Sequence, residues 1–303
     1  MGRESVTSLP MKAVILAAGK GTRMGELTAN LPKPMVLVEG KPVLEHILTG
    51  LRDEAGIRDF FIIIGWCGEV ISDYFGDGKR WDVRVSYGEQ KVQDGTGKAP
   101  EIAQAWVGND RFLLTYGDIL LRPPTDYALL VDAFKEEGVI AVKDGEDLTK
   151  GGAVVLNREG FMTDIVEKGS SSQVPANAYY NAGIYLLTPG IFDYTARLEK
   201  SPRGEFEFTD ALKASAKAGD RLRGVTLRRA WADVRDPSVL AELNSGSNGP
   251  MTADSSKSVI LSLSKDQPPV SPGLWGTVYA FWKLILRLRP AKRDSAQDDS
   301  SFS

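Results

Sequence analysis

The residues best placed to do chemistry form a single loop, Leu16-Ala17-Ala18-Gly19-Lys20-Gly21-Thr22-Arg23-Met24, followed by Leu31-Pro32-Lys33-Pro34-Met35. Glycines let backbone N–H groups come close to an anion, and Arg23 and Lys33 add fixed positive charge. Leu16, Ala17, Ala18, Gly19, Gly21 and Thr22 are therefore candidates to line a triphosphate; the plain alternative is a glycine turn required by the connection that follows the strand. The spacing is neither G-x-x-x-x-G-K-[ST] nor G-x-G-x-x-G. Lys20 reads as a solvated side chain, whereas Lys33, with its stem between two prolines, reads as directed into the loop.

The rest of the inventory is narrow. The 303 residues contain one histidine, His46, and one cysteine, Cys67. That excludes a disulfide framework, a multi-cysteine zinc site and histidine metal triads, and it argues against Ser-His-Asp catalysis. Any metal must be held by carboxylates and substrate oxygens, which favours a hard ion such as Mg2+. The net charge of −3 gives no global positive field, so nucleic acid is not expected as a partner. Asp118 follows an apolar run and Gly117. Its carboxylate is expected at the carboxyl edge of a sheet, where open α/β sheets bind ligands, unless it only caps a loop.

The elements that must position these residues alternate. Apolar runs at 11–17, 59–64, 111–116 and 139–142 read as buried strands, and 82–87 as an alternating strand. Helical patterns fall at 42–51, 69–75, 99–107 and 126–137. This order predicts an α/β fold with a Rossmann-like, mostly parallel sheet and helices on both faces. The second half predicts a β-rich insertion: a hairpin around Arg158-Glu159-Gly160, a long strand at 179–187, a helix at 207–217, a strand at 223–228 and a closing helix opened by Asp236-Pro237. Glu207 and Asp210 begin the 207–217 helix, where Thr209 and Asp210 read as caps. His46 reads as a packing residue of the 42–51 helix, and Cys67 as structural.

The loop signature resembles that of the sugar-1-phosphate nucleotidyltransferases, and further motifs follow in that family's order up to about residue 243. These are Glu89-Gln90 with Gly95-Thr96-x-x-Ala99, Tyr116-Gly117-Asp118, Val166-Glu167-Lys168, Asn181-Ala182-Gly183, Glu205 to Asp210, and Trp231-Ala232-Asp233. The resemblance implies attack of a sugar-1-phosphate oxygen on the α-phosphate of a nucleoside triphosphate, in line, with pyrophosphate leaving. Such a step needs positioning and charge neutralisation more than acid–base groups. It implies Asp118 and Asp233 as Mg2+ ligands, and Arg23 and Lys33 at the phosphates beside the catalytic Asp118. Gln90, Gly95 and Thr96 are then expected at the base, and Glu167, Lys168, Asn181 and Gly183 at the sugar phosphate. Lys98 and Pro100 stand where the family commonly has smaller residues. The family's Trp-x-Asp is usually followed by a glycine-containing turn; here Val234-Arg235-Asp236 follows, and Asp236 competes for the ligand role. A metal-dependent glycosyltransferase would want Asp-x-Asp, which Tyr116-Gly117-Asp118 lacks. A regulatory paralogue that only binds nucleotide sugar is the other alternative.

A catalytic domain is thus expected at 11–243, a flexible linker at 244–273, an amphipathic helix at 274–289 and a disordered tail at 290–303. The 274–289 stretch suits either a helix lying in a membrane interface or one docked on the domain or on a second copy. Residues 1–10 do not read as a leader, and a cytoplasmic enzyme is expected, membrane-associated if 274–289 lies on a bilayer.

Overall fold

The computed structural model describes residues 11–135, 138–167, 174–175 and 177–245. Lys168, residues 246–273 of the expected linker, the 274–289 helix and the 290–303 tail lie outside the described residues. The chain runs β1 (Lys12–Ala17), two 3-10 segments (Thr22–Thr28 and Lys33–Met35), β2 (Leu37–Val38), β3 (Lys41–Pro42), α1 (Val43–Ala55), β4 (Asp59–Ile64), α2 (Gly68–Phe75) and β5 (Arg84–Glu89). A 3-10 turn, Ala99–Ala103, leads into α3 (Gln104–Val107), β6 (Phe112–Tyr116), β7 (Ile119–Arg122), α4 (Asp126–Ala133) and β8 (Gly138–Lys143). The second half holds β9 (Ala153–Leu156), β10 (Met162–Val166), β11 (Tyr179–Leu187), α5 (Ile191–Thr195), α6 (Phe208–Ala218), β12 (Leu222–Thr226), β13 (Ala230–Asp233) and α7 (Pro237–Ser245).

β1 is apolar at every position after Lys12 because both of its faces are covered. It lies parallel to β4 on one side and β6 on the other, and β5 extends the parallel order beyond β4. Val14 and Leu16 enter a core shared with Val107 of α3, Phe192 of α5 and Phe208 and Leu212 of α6. Ala13, Ile15 and Ala17 point the other way by strand alternation and are equally buried. α1 starts directly after Pro42, its N-cap residue, and is closed by Gly56 in the left-handed region. It buries Leu44, Ile47, Leu48 and Leu51 and packs on α4 and β7. His46 accordingly serves packing, its Nε2 lying 2.8 Å from the Val38 carbonyl.

The parallel block β5-β4-β1-β6 is the Rossmann-like core. The β-rich insertion is built on β11, which runs antiparallel to β6, β8 and β9, with the β9–β10 hairpin at the edge. β12 adds in parallel beside β8. Several expectations shift in detail. The expected 99–107 helix is a 3-10 turn followed by one α-helical turn, and α4 stops at Ala133. The strand expected from 82 begins at Arg84, because Asp82 is in the left-handed region. The helix expected from 207 begins at Phe208, and α7 runs on to Ser245 instead of yielding to a linker at 244. Several short elements have no counterpart in the sequence analysis: the β2–β3 ribbon, α5, and β7 with β13, which form a separate antiparallel ribbon. Among the described residues no helix is long and apolar enough to cross a membrane.

Candidate active site

The site forms where β1 and β6 end side by side. The Leu16 carbonyl accepts the Gly117 amide at 2.9 Å, and the chain beyond each strand turns toward the same edge. Leu16, Ala17 and Ala18 are buried, so only their backbone is available to a ligand. The Ala18 carbonyl is already satisfied by the Trp66 amide at 3.1 Å and the Gln93 side chain at 3.0 Å. Gly19, Lys20, Thr22 and Arg23 are exposed beyond it.

Two glycines bring Lys33 into this edge. Gly21 has φ +63, and a Cβ there would meet the Lys33 Cβ at 2.8 Å; one on Gly117 would meet Pro34 Cγ at 2.8 Å. The Leu-Pro-Lys-Pro segment therefore lies against both loops, and the lysine side chain is left 11% exposed. Its ammonium bonds Asp118 Oδ2 and stands 3.8 Å from Asp233 Oδ1. Asp233 reaches this point across the ribbon: it pairs with Ile119, and the Val234 amide donates to the Asp118 carbonyl at 3.0 Å. Burial and the charge of Asp118 push the Asp233 carboxyl above its usual range, while Lys33, Arg235 and Arg23 pull it back. Asp236 is used elsewhere. It caps α7, accepting from Ser238 Oγ at 2.6 Å and from the Ser238 and Val239 amides, which holds its carboxyl below the usual range.

A second group of expected residues is joined by hydrogen bonds. Gln90 Nε2 donates to the Gly95 carbonyl at 2.9 Å, leaving its oxygen and one N–H for another partner. Gly95 has φ +115 and lies against the backbone of Phe206. The Thr96 hydroxyl is engaged inside the protein, accepting the first α6 amide, from Phe208, at 3.3 Å and bonding Tyr116. Tyr116 bonds Tyr185, whose hydroxyl meets both side-chain atoms of Asn181, at 2.8 and 3.1 Å. Burial pushes the Tyr116 phenol up to about 12, so it stays a neutral link in this chain. Gly183, with φ +74, forms an irregularity in β11 that packs on Tyr116, and its amide donates to Asn181 Oδ1. Glu167 lies beside Gly152 and 3.5 Å from Arg203, which also pairs with Glu207 at 2.9 Å.

The structure thus gathers Lys33, Asp118 and Asp233 at one point, with Arg23 acting on Asp233 through charge. It joins Gln90 to Gly95, and Thr96 to Asn181 and Gly183. The sequence reading passed over Tyr185, Arg203 and Arg235. Arg203 had a signal, its four-residue spacing to Glu207; Tyr185 had none, since it read as one more strand residue. Among the described residues no three His, Cys, Asp or Glu side chains cluster to hold a metal alone. The donor set is two carboxylates at the mouth of a glycine loop, which fits a hard cation that takes its remaining ligands from water and other oxygen donors.

Comparison with known proteins gives consistent matches. Residues 12–248 match the family described as nucleotidyl transferase. The bifunctional protein GlmU of Methanococcus maripaludis is 34% identical over 75% of this chain, and the match spans 52% of that protein, so the chain covers about half of its length. The UTP–glucose-1-phosphate uridylyltransferase AglF of Haloferax volcanii is 32% identical over 75% of this chain and 92% of its own. A crystal structure of a putative glucose-1-phosphate thymidylyltransferase from Bacillus anthracis has a TM-score of 0.69 at 26% identity, covering 79% of this chain and 97% of that one. UDP-glucose pyrophosphorylase in complex with UDP-glucose, at 24% identity and a TM-score of 0.70 over 78% of this chain and 98% of that one, shares the fold. The extent of the family match, together with the ordered motifs around the site, shows that this chain belongs to the sugar-1-phosphate nucleotidyltransferase branch of the nucleotidyl transferase enzymes.

Proposed function

We propose that the protein joins a nucleoside triphosphate to a sugar-1-phosphate, giving a nucleoside-diphosphate sugar and pyrophosphate. The observation that carries this reading is Lys33 held between Asp118 and Asp233 beside an open glycine loop. An ammonium in that position is a compact cation at the point where a polyanion and its counter-ion would meet. The backbone of residues 16–22 offers N–H groups to the triphosphate, and Arg23 stabilises the charge that gathers on the departing pyrophosphate. Lys33 exchanges its carboxylate partners for phosphate oxygens. Asp118 and Asp233 would hold Mg2+, which when bound supplies charge neutralisation at the α-phosphate.

The remaining residues orient the two reactants. Gln90 keeps an acceptor and a donor for a base edge, against the flat backbone at Gly95, and Thr96 fixes that loop to α6. Glu167 accepts sugar hydroxyls, with Asn181 and Gly183 lining the same side and Lys168 expected at the sugar phosphate. The acceptor is already an ionised phosphate, so no general base is required; the one histidine, tied to Val38, is in keeping with this.

The test is a pyrophosphate-release screen of UTP, dTTP, CTP, GTP and ATP against a panel of sugar-1-phosphates, with Mg2+ and with a chelator. Release that requires both substrates and the metal is expected. Release of nucleoside diphosphate, or none with any pair, would overturn the reading.

A further inference from the structure

We infer that Arg235 is a positioning residue for Asp233, locking one carboxylate oxygen so that the other faces Asp118 and Lys33. The inference rests on the proposed role of the two aspartates and concerns a residue of the turn after Asp233, which here lacks glycine. The backbone here does not ask for glycine, since Arg235 is not among the residues with positive φ. Instead the Arg235 amide donates back to the Asp233 carbonyl at 2.7 Å, an i to i+2 turn that folds the arginine onto its neighbour's side chain.

The carboxylate is held from two directions. Asp233 Oδ2 lies 3.4 Å from Arg235 Nε, and Oδ1 lies 3.8 Å from Lys33 Nζ. The guanidinium is itself fixed: it bonds the Tyr180 hydroxyl, donates to the Lys150 carbonyl at 3.4 Å, and is 17% exposed. Tyr180 in turn packs edge-on against Trp231, at a centroid distance of 5.3 Å, in the strand that carries Asp233. When Lys33 moves to phosphate, Oδ1 is freed while Oδ2 keeps its ion pair with Arg235, which biases the carboxylate toward one orientation before a cation arrives. Residues that orient a metal ligand from behind in this way are worth about 10- to 100-fold in metal affinity. The positive charge of the guanidinium acts in the opposite sense, and at 3.4 Å in this largely buried setting it is little screened, so the direction of the change in affinity shows which effect dominates.

Mn2+ binding to the full-length protein, read from the free-ion electron paramagnetic resonance signal, separates the two effects. For Arg235→Gln the dissociation constant is expected to weaken about tenfold, with the melting temperature in chelator within a few degrees of wild type. Arg235→Lys should fall in between. In steady state the apparent KM for Mg2+ should rise while the triphosphate KM at saturating Mg2+ holds. Tyr180→Phe loosens the guanidinium without removing its charge and should weaken Mn2+ in the same direction, by less than Arg235→Gln does. Unchanged or tighter Mn2+ binding in these variants overturns the inference. A wild-type protein that binds no Mn2+ overturns the metal reading of Asp118 and Asp233 instead.

Discussion

Asp118 and Asp233 come from opposite halves of the chain and are held one residue out of step across the β7–β13 ribbon, with the Val234 amide on the Asp118 carbonyl at 3.0 Å. This ribbon, and not the main sheet, sets the spacing of the two carboxylates. Lys33 closes the gap between them. Two anions this close without a cation would repel, so the free protein already contains the charge arrangement that a metal–phosphate complex would replace.

Asp118→Asn keeps the shape and the acceptor oxygen that Lys33 uses, and removes the charge. About 3 kcal/mol of transition-state stabilisation should be lost, on the scale of deleting one electrostatic contact at developing charge. Pyrophosphate release should fall at least about a hundredfold in kcat/KM, with the melting temperature preserved in chelator. Turnover at the wild-type rate would remove Asp118 from the reaction.

Glycines in the two loops at the proposed nucleotide site should respond oppositely to alanine. Gly95 has φ +115, and a Cβ there would lie 2.3 Å from the Phe206 carbonyl oxygen, so the fold itself demands glycine. Gly95→Ala should destabilise by about 3 kcal/mol, a drop of roughly 6–12 °C in Tm for a domain of this size. Gly19 has no positive φ, and a Cβ there would meet nothing within 4 Å. Nothing in the fold requires it, which leaves close approach of a ligand as its physical reason. Gly19→Ala should leave Tm unchanged and raise the triphosphate KM about tenfold, the scale of losing a hydrogen bond to a charged group. A thermal shift assay beside initial-rate kinetics checks both.

The same contrast explains what could be read from the sequence. β1, β4 and β6 were legible because strands buried on both faces are continuous apolar runs, and Gly117-Asp118 follows such a run directly. The ribbon was not legible: Ile119–Arg122 and Ala230–Asp233 are four residues each and follow turns, and their pairing is a property of the folded chain. Asp233 is legible through its motif, but its partner Arg235 lies in a run that shows in the sequence only as a turn without glycine. Thr96, expected at the base, also has an internal role, its hydroxyl accepting from Phe208 and bonding Tyr116; no local pattern reveals a cap supplied from a distant loop.

Asp126 supports the site from outside it. It is 3% exposed, and its Oδ2 accepts the Arg228 and Arg229 amides, each at 2.7 Å, in the segment that leads into β13. Asp126→Ala would strand two amides and should cost about 2–4 kcal/mol, whereas Asp126→Asn keeps an acceptor and should cost less. Urea unfolding with constant m-values gives the comparison. If the alanine variant is as stable as wild type, the anchor is not holding the strand.

Asp210 gives a pH prediction with a definite sign. It lies in the first turn of α6, and burial pushes its carboxyl above the usual range; Glu167 adds in the same direction, while Lys213 and Arg203 oppose. The folded state therefore binds the proton more tightly than the unfolded state. Stability is unaffected by this group below the unfolded carboxylate range, falls as pH rises through the window between the unfolded and folded values, and stays reduced above it. An asparagine side chain cannot ionise, so Asp210→Asn should match wild type near pH 3.5 and exceed it in Tm near pH 7, with the gap opening between. Glu207 is raised in the same direction, but its carboxylate also accepts from Ser201 and Arg203, so its removal would mix two effects. Thermal melts of the Asp210→Asn protein across this range decide the matter, and a variant less stable than wild type at pH 7 would mean that the ionised carboxylate has a partner that holds it in place.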